Sequence, residues 1–129
     1  MANWNEVLGW TKEQLDELRY VGFAYLKQGK FDIALPIYEA LTLLDPESSY
    51  DLQTLGGLYL ETGNNLKALS IIERALKFDP ANELSLLNRM KALFALGYRR
   101  QAIAQAKELQ NHANPEISNQ VNALLLAYS

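Results

Sequence analysis

One period fixes most of what this chain can fold into. Gly22, Tyr25, Gly29, Ala34 and Pro46 recur 34 residues later as Gly56, Tyr59, Gly63, Ala68 and Pro80. A further step of 34 reaches Met90, Leu93, Gly97, Ala102 and Asn114, with Pro115 one place late. The apolar series Leu18, Val21 and Leu26 is echoed by Leu52, Leu55 and Leu60. A fixed period of this length is the signature of stacked supersecondary units, each too small to bury its own apolar face. Within each unit, apolar residues fall at i, i+3, i+4 and i+7, the helical spacing. Gly29, Gly63 and Gly97 stand between the halves, where a helix C-terminus needs positive φ. Asp45-Pro46 and Asp79-Pro80 stop the second helix of a pair, because proline cannot continue it.

These signals predict helices over about 12–28, 31–44, 49–62, 65–78, 82–96 and 99–112, with a last one near 116–128. Thr11-Lys12-Glu13-Gln14 reads as a capping box opening the first. Asn114-Pro115-Glu116 opens the last with an N-cap, a proline and an acid in the first turn. Such a helix covers the open end of a stack. Pro36 removes one backbone hydrogen bond inside the second helix and predicts a mild kink without functional meaning. Gly22 and Gly56 lie inside helices, where glycine costs roughly 0.5–1 kcal/mol relative to alanine. They are expected to let Ala34 and Ala68 approach closely. Asn3 to Gly9 is expected to add a turn or two, with Trp4 and Trp10 anchoring that segment.

The recurring Leu-x-x-Leu-Gly-x-x-Tyr, the inter-helix glycine, the alanine and the terminal Asp-Pro resemble the tetratricopeptide repeat (TPR) family over roughly residues 15–116. The resemblance implies an all-α, right-handed superhelical solenoid of three TPR helix pairs plus a C-terminal capping helix. Its divisions are an N-terminal segment 1–10, repeats over 11–48, 49–82 and 83–114, and a capping helix over 115–129. The third repeat departs from the pattern. Arg89-Met90 replaces the small residue there, which predicts a wider splay for that pair.

A narrower resemblance rests on Tyr20-Val21-Gly22-Phe23-Ala24-Tyr25 and on Gly29-Lys30-Phe31-Asp32-Ile33-Ala34-Leu35-Pro36-Ile37-Tyr38. With the proline-led tail from Asn114 to Leu125, these are similar to small bacterial type III secretion chaperones, the translocator and needle-subunit chaperones. That resemblance implies a cytoplasmic protein sheltering an apolar segment of a secreted subunit before export, with a co-chaperone as a further candidate partner. A general TPR adaptor or scaffold in another assembly is the alternative, since the family shares an architecture and not a function.

In such a solenoid the first helix of each pair lines the concave face. The first helix then contributes Arg19, Tyr20, Phe23, Leu26 and Lys27 to a partner-binding groove. The second supplies Tyr50, Gln53, Thr54, Gly57, Leu60 and Glu61, and the third Leu84, Leu87, Asn88, Lys91, Phe94 and Ala95. A largely aromatic and aliphatic stripe of this kind accepts an amphipathic helix or apolar peptide. Two other readings compete with it: several of these side chains are core, or the stripe is buried in a homodimer. The stripe lacks the Lys, Asn and Arg of the carboxylate clamp that grips acidic chaperone tails. Phe23 and Thr54 stand where asparagines would serve, and Leu84 and Asn88 where Lys and Arg would.

Other chemistries find little footing. There are no cysteines and a single histidine, His112, so neither a metal site nor a nucleophile–base pair can be assembled. His112 reads as a surface or capping residue. Asp16-Glu17 and Glu13 read as a solvated helix face, and Gly56-Gly57 lacks the Lys-Ser/Thr of a phosphate loop. No enzyme, cofactor or metal is expected. Residues 1–64 carry four basic and ten acidic side chains, residues 65–129 eight and five, and the whole is −3. Nucleic acid is therefore not an expected partner. No run of about 18 apolar residues predicts a membrane span, and Met1 to Glu6 lacks the basic start of a secretory signal.

Overall fold

The computed structural model describes residues 9–128. The expected turn over Asn3–Gly9, apart from Gly9, and the anchor Trp4 lie outside the described residues. Seven helices are described, with no strand: α1 Lys12–Lys27, α2 Phe31–Leu44, α3 Ser49–Glu61, α4 Asn65–Phe78, α5 Glu83–Ala95, α6 Arg99–Leu109 and α7 Pro115–Ala127. The boundaries follow the local signals. Thr11 Oγ1 accepts the Gln14 amide at 3.1 Å while Gln14 Oε1 accepts the Thr11 amide at 2.9 Å, closing the capping box. Ser48 and Asn82 cap α3 and α5, and Asn114 accepts the Glu116 amide at the start of α7. Gly29, Gly63 and Gly97 take φ of 73°, 79° and 81° between the helices of each pair. α2 runs through Pro36 without interruption. α6 stops at Leu109, short of the expected 112, because His112 turns back: its amide donates to the Leu109 carbonyl and its Nδ1 accepts the Asn114 amide. Its Nε2 lies 3.1 Å from Glu83, so the histidine joins this turn to the start of α5.

The helices form three antiparallel pairs, and each pair stacks on the next to make a helical solenoid of the TPR kind. α7 packs on α5 and α6 and covers the end. Ala34, Ala68 and Ala102, the repeated alanines, are all fully buried. The glycines do not face them, however. A Cβ on Gly22 would stand 2.9 Å from both Ile37 and Tyr38, and one on Gly56 would stand 2.6 Å from Cγ1 of Ile72. Tyr38 and Ile72 are themselves one period apart. The third member of that series is Ala106, and the third member of the glycine series is Met90; both are fully buried in one core cluster. The small and the large residue have changed places in the third pair. α5 lies against α3 as well as α4, and Arg89 reaches Glu73 on α4 and Gln105 on α6 at 3.0 Å each. The wider gap is between the first and second pairs, where no Cα of α1 comes within 8 Å of α3.

Candidate functional site

That gap between α1 and α3 is crossed by a cluster of charges. Asp51, in the first turn of α3, is completely buried and receives Arg19 Nε at 2.9 and 3.0 Å and Nη2 at 2.8 Å. The same guanidinium reaches Asp45 at 2.6 Å and Asp16 at 2.9 Å. The bonds to Asp51, reinforced by Asp45 and Asp16, hold the Arg19 charge and raise an already high pKa. One cation thus ties α1, the α2–α3 turn and α3 together. Arg19 belongs to this clasp and is not a free groove residue.

Beside the clasp, the separation of α1 from α3 opens a concave groove of about 480 Å³. Leu26 of α1 and Phe31 of α2 form one wall. Tyr50, Gln53, Thr54, Gly57, Leu60 and Glu61 run along α3, and Leu84, Asn88 and Lys91 come from α5. Tyr50 and Leu84 are 49% and 45% exposed, large apolar surfaces held open to solvent by helices that are otherwise well packed. The Thr54 hydroxyl donates back to the Tyr50 carbonyl at 2.9 Å, which satisfies it within α3. Under the floor, the Tyr38 hydroxyl lies fully buried beside Tyr50; burial first, and then the neighbouring Tyr50, raise its pKa well above the ordinary value.

Several expected groove residues lie elsewhere. Leu87 is completely buried in the core of the third pair, because α5 is flanked by α3, α4, α6 and α7 and has little free face. Phe94 is covered by the capping helix, its ring stacked on Tyr128 at 4.7 Å. Tyr20 sits on a separate outer surface of α1 with Glu13, Asp16, Glu17 and Val21. Phe23 is outside the lining, with the Lys27 ammonium 5.6 Å above its ring. Ala95 is exposed at the C-terminal end of α5 and does not line the groove. Phe31 and Leu58 line the groove and were not expected there. Both are set by tertiary packing: Phe31 opens a second helix, a position the first-helix stripe does not sample. Among the described residues, no group of three or more His, Asp or Glu is arranged to hold a metal, and no helix is long and apolar enough to cross a membrane.

Comparison with known proteins agrees with this geometry. Residues 52–82 match the tetratricopeptide repeat family model. Among solved structures, the chain superposes on the type III secretion translocator chaperone SycD of Yersinia enterocolitica with a TM-score of 0.79, at 20% identity over 98% of both chains. SycD in complex with a peptide of the translocator YopD gives 0.77, at 20% identity over 92% of this chain and 98% of that one. The first TPR of Spaghetti (RPAP3), bound to an HSP90 peptide, gives 0.78, at 22% identity over 91% and 94%. These likenesses show a shared fold. By sequence, the chain is 34% identical over 65 residues to the uncharacterized protein ycf37 of Guillardia theta, and 36% identical over 73 residues to the BBSome complex member BBS4 of Bos taurus. It spans 36% of the first and 14% of the second.

Proposed function

Taking the tetratricopeptide-repeat fold as premise, we propose that the chain is a protein-binding chaperone rather than an enzyme. Its concave groove holds an apolar segment of a type III secretion subunit, needle or translocator, in the cytoplasm before export. The observation that carries this reading is the groove itself. Tyr50 and Leu84 line a cleft shared with Leu26, Phe31 and Leu60, and among the described residues both stay open to solvent. Exposed aromatic and aliphatic side chains on rigid helices are suited to receive the anchors of an amphipathic or extended peptide. The match in fold and length to a translocator chaperone, including one solved with its peptide, supports the choice of cargo. A second reading, an adaptor within some other assembly, draws support from the partial sequence relatives, of which one is a member of the BBSome complex.

The test uses the exposed groove residues, since Leu87 is core and its replacement would report on folding. Tyr50→Ala with Leu84→Glu should abolish co-purification with the secreted subunit, each buried anchor contact contributing about 2 kcal/mol or more. The circular dichroism spectrum should not change. Full capture by the folded double variant would remove the groove from consideration. Capture of an assembly component, with no binding to any secretion subunit, would favour the adaptor.

A further inference from the structure

Two surfaces outside the groove complement each other. Along the outer face of α1, Glu13, Asp16, Glu17, Tyr20 and Val21 line a shallow concavity of about 620 Å³. Their spacing of i, i+3, i+4, i+7 and i+8 places them on one helical stripe. Tyr20 is 76% exposed and Val21 44%, so the apolar end of the stripe is open to solvent. Along the outer face of α6, Arg99, Arg100, Ile103, Ala104 and Lys107 line a concavity of about 580 Å³. The first stripe is acidic with an apolar end; the second is basic with an apolar centre. Glu13, Glu17, Arg100 and Lys107 are all exposed and have no ion-pair partner among the described residues. Asp16 spends part of its charge on Arg19, and Arg99 donates to the Tyr128 carbonyl. Behind the first stripe the Arg19 clasp adds to its potential, setting one cation among three carboxylates.

The two stripes cannot neutralise each other within one molecule. Among the described residues α1 packs only on α2, and α6 only on α5 and α7, so the two faces belong to the first and the third helix pair and do not meet. We propose that the acidic α1 face docks on the basic α6 face of a second copy of this chain, head to tail. The stripes match in size, in the number of charges and in carrying apolar side chains beside them, so one copy supplies each half of the contact. Made once per pair of copies, the contact is heterologous and leaves a free acidic face on one copy and a free basic face on the other, so it propagates into a ring or an open oligomer. Neither stripe shares a residue with the groove lining.

Sedimentation velocity of the full chain, across a concentration series in two salts, tests this. At about 0.1 M salt, where screening acts over ~10 Å, the mean mass should climb steadily with concentration; at about 1 M, where it acts over ~3 Å, the species should revert to monomer. Glu13→Lys with Glu17→Lys should weaken association ~10-fold or more, and so should Arg100→Glu with Lys107→Glu. A chain carrying all four reversals should associate again, as should an equal mixture of the two double variants. Circular dichroism confirms that each variant is folded. A wild-type chain that stays monomeric at low salt overturns the proposal. So does association that survives either double reversal, or a closed dimer indifferent to salt, which would point to burial of the groove between two copies.

Discussion

Adjacent glycines in α3 should respond to the same substitution with opposite signs. A methyl group on Gly56 would lie 2.6 Å from Cγ1 of the fully buried Ile72, about 1 Å inside the ordinary carbon–carbon contact of 3.5–4.0 Å. Cγ1 is placed by χ1, which a β-branched residue inside a helix holds in one strongly preferred rotamer, so it does not swing clear cheaply. Overpacking of this kind costs about 1–3 kcal/mol, against a helix gain of about 0.5–1 kcal/mol. Gly56→Ala should therefore destabilise by up to about 2.5 kcal/mol after that offset. Beside it, a methyl on Gly57 would meet only Asn88 Nδ2 at 3.8 Å, so Gly57→Ala should stabilise by the full helix term. Ile72→Ala alone should cost about 2–5 kcal/mol, and in that background Gly56→Ala should change sign and become stabilising. Urea unfolding followed by far-ultraviolet circular dichroism, run as a double-mutant cycle, reads all four values. Additive effects at Gly56 and Ile72 would refute the reasoning, as would equal effects at Gly56 and Gly57.

Two further outcomes concern the charged and phenolic groups between the first and second pairs. Arg19→Met strands the buried Asp51 carboxylate and should cost about 3–5 kcal/mol in urea unfolding, whereas adding Asp51→Leu should recover much of it; a loss below about 1 kcal/mol would show that water reaches Asp51. Burial, with a 2.7 Å hydrogen bond to Glu39, pushes the Tyr59 hydroxyl up to about 12 from its ordinary value near 10. Because the folded pKa is the higher one, this contribution is complete below pH 10 and is lost as pH rises toward 12. Tyr59→Phe should flatten that alkaline decline in thermal melts. Tyr38, shifted in the same direction by burial, supplies the part that remains.

How far the sequence could be read depended on whether a feature was local. The helix boundaries followed from caps, glycines and prolines within a few residues of each end, and those held nearly everywhere. The exception, the early stop of α6, came from a turn built by His112 and Asn114, whose geometry no periodicity carries. Glycines at 22 and 56 announced a close approach but not what approached; the partners lie half a turn or more beyond the alanines that the pattern made conspicuous. The groove was less legible still. Tyr50, Gln53, Thr54, Leu60 and Leu84 share it as the first-helix stripe implied, because α3 is open on that side. On α5 the same stripe ran into the core at Leu87 and under Tyr128 at Phe94, since a terminal unit is wrapped by its cap. The Arg19–Asp51 clasp joins residues 32 apart and offered no local sign of itself.

The exchanged sizes at Gly22/Tyr38, Gly56/Ile72 and Met90/Ala106 also bear on how the chain finds its own partners while folding. Three helix pairs of one architecture could in principle assort wrongly, the first helix of one unit taking the second helix of another. The exchange makes such mismatches unequal to the proper pairs. The Gly22 helix against the Ala106 helix leaves a hole where an aromatic ring belongs, and the Met90 helix against the Tyr38 helix has two large groups in space for one. Volume thus serves as an address, sorting the third unit from the first two before any groove exists. A chimaera joining the first helix of one terminal unit to the second helix of the other would lose that address, even though every residue in it is native.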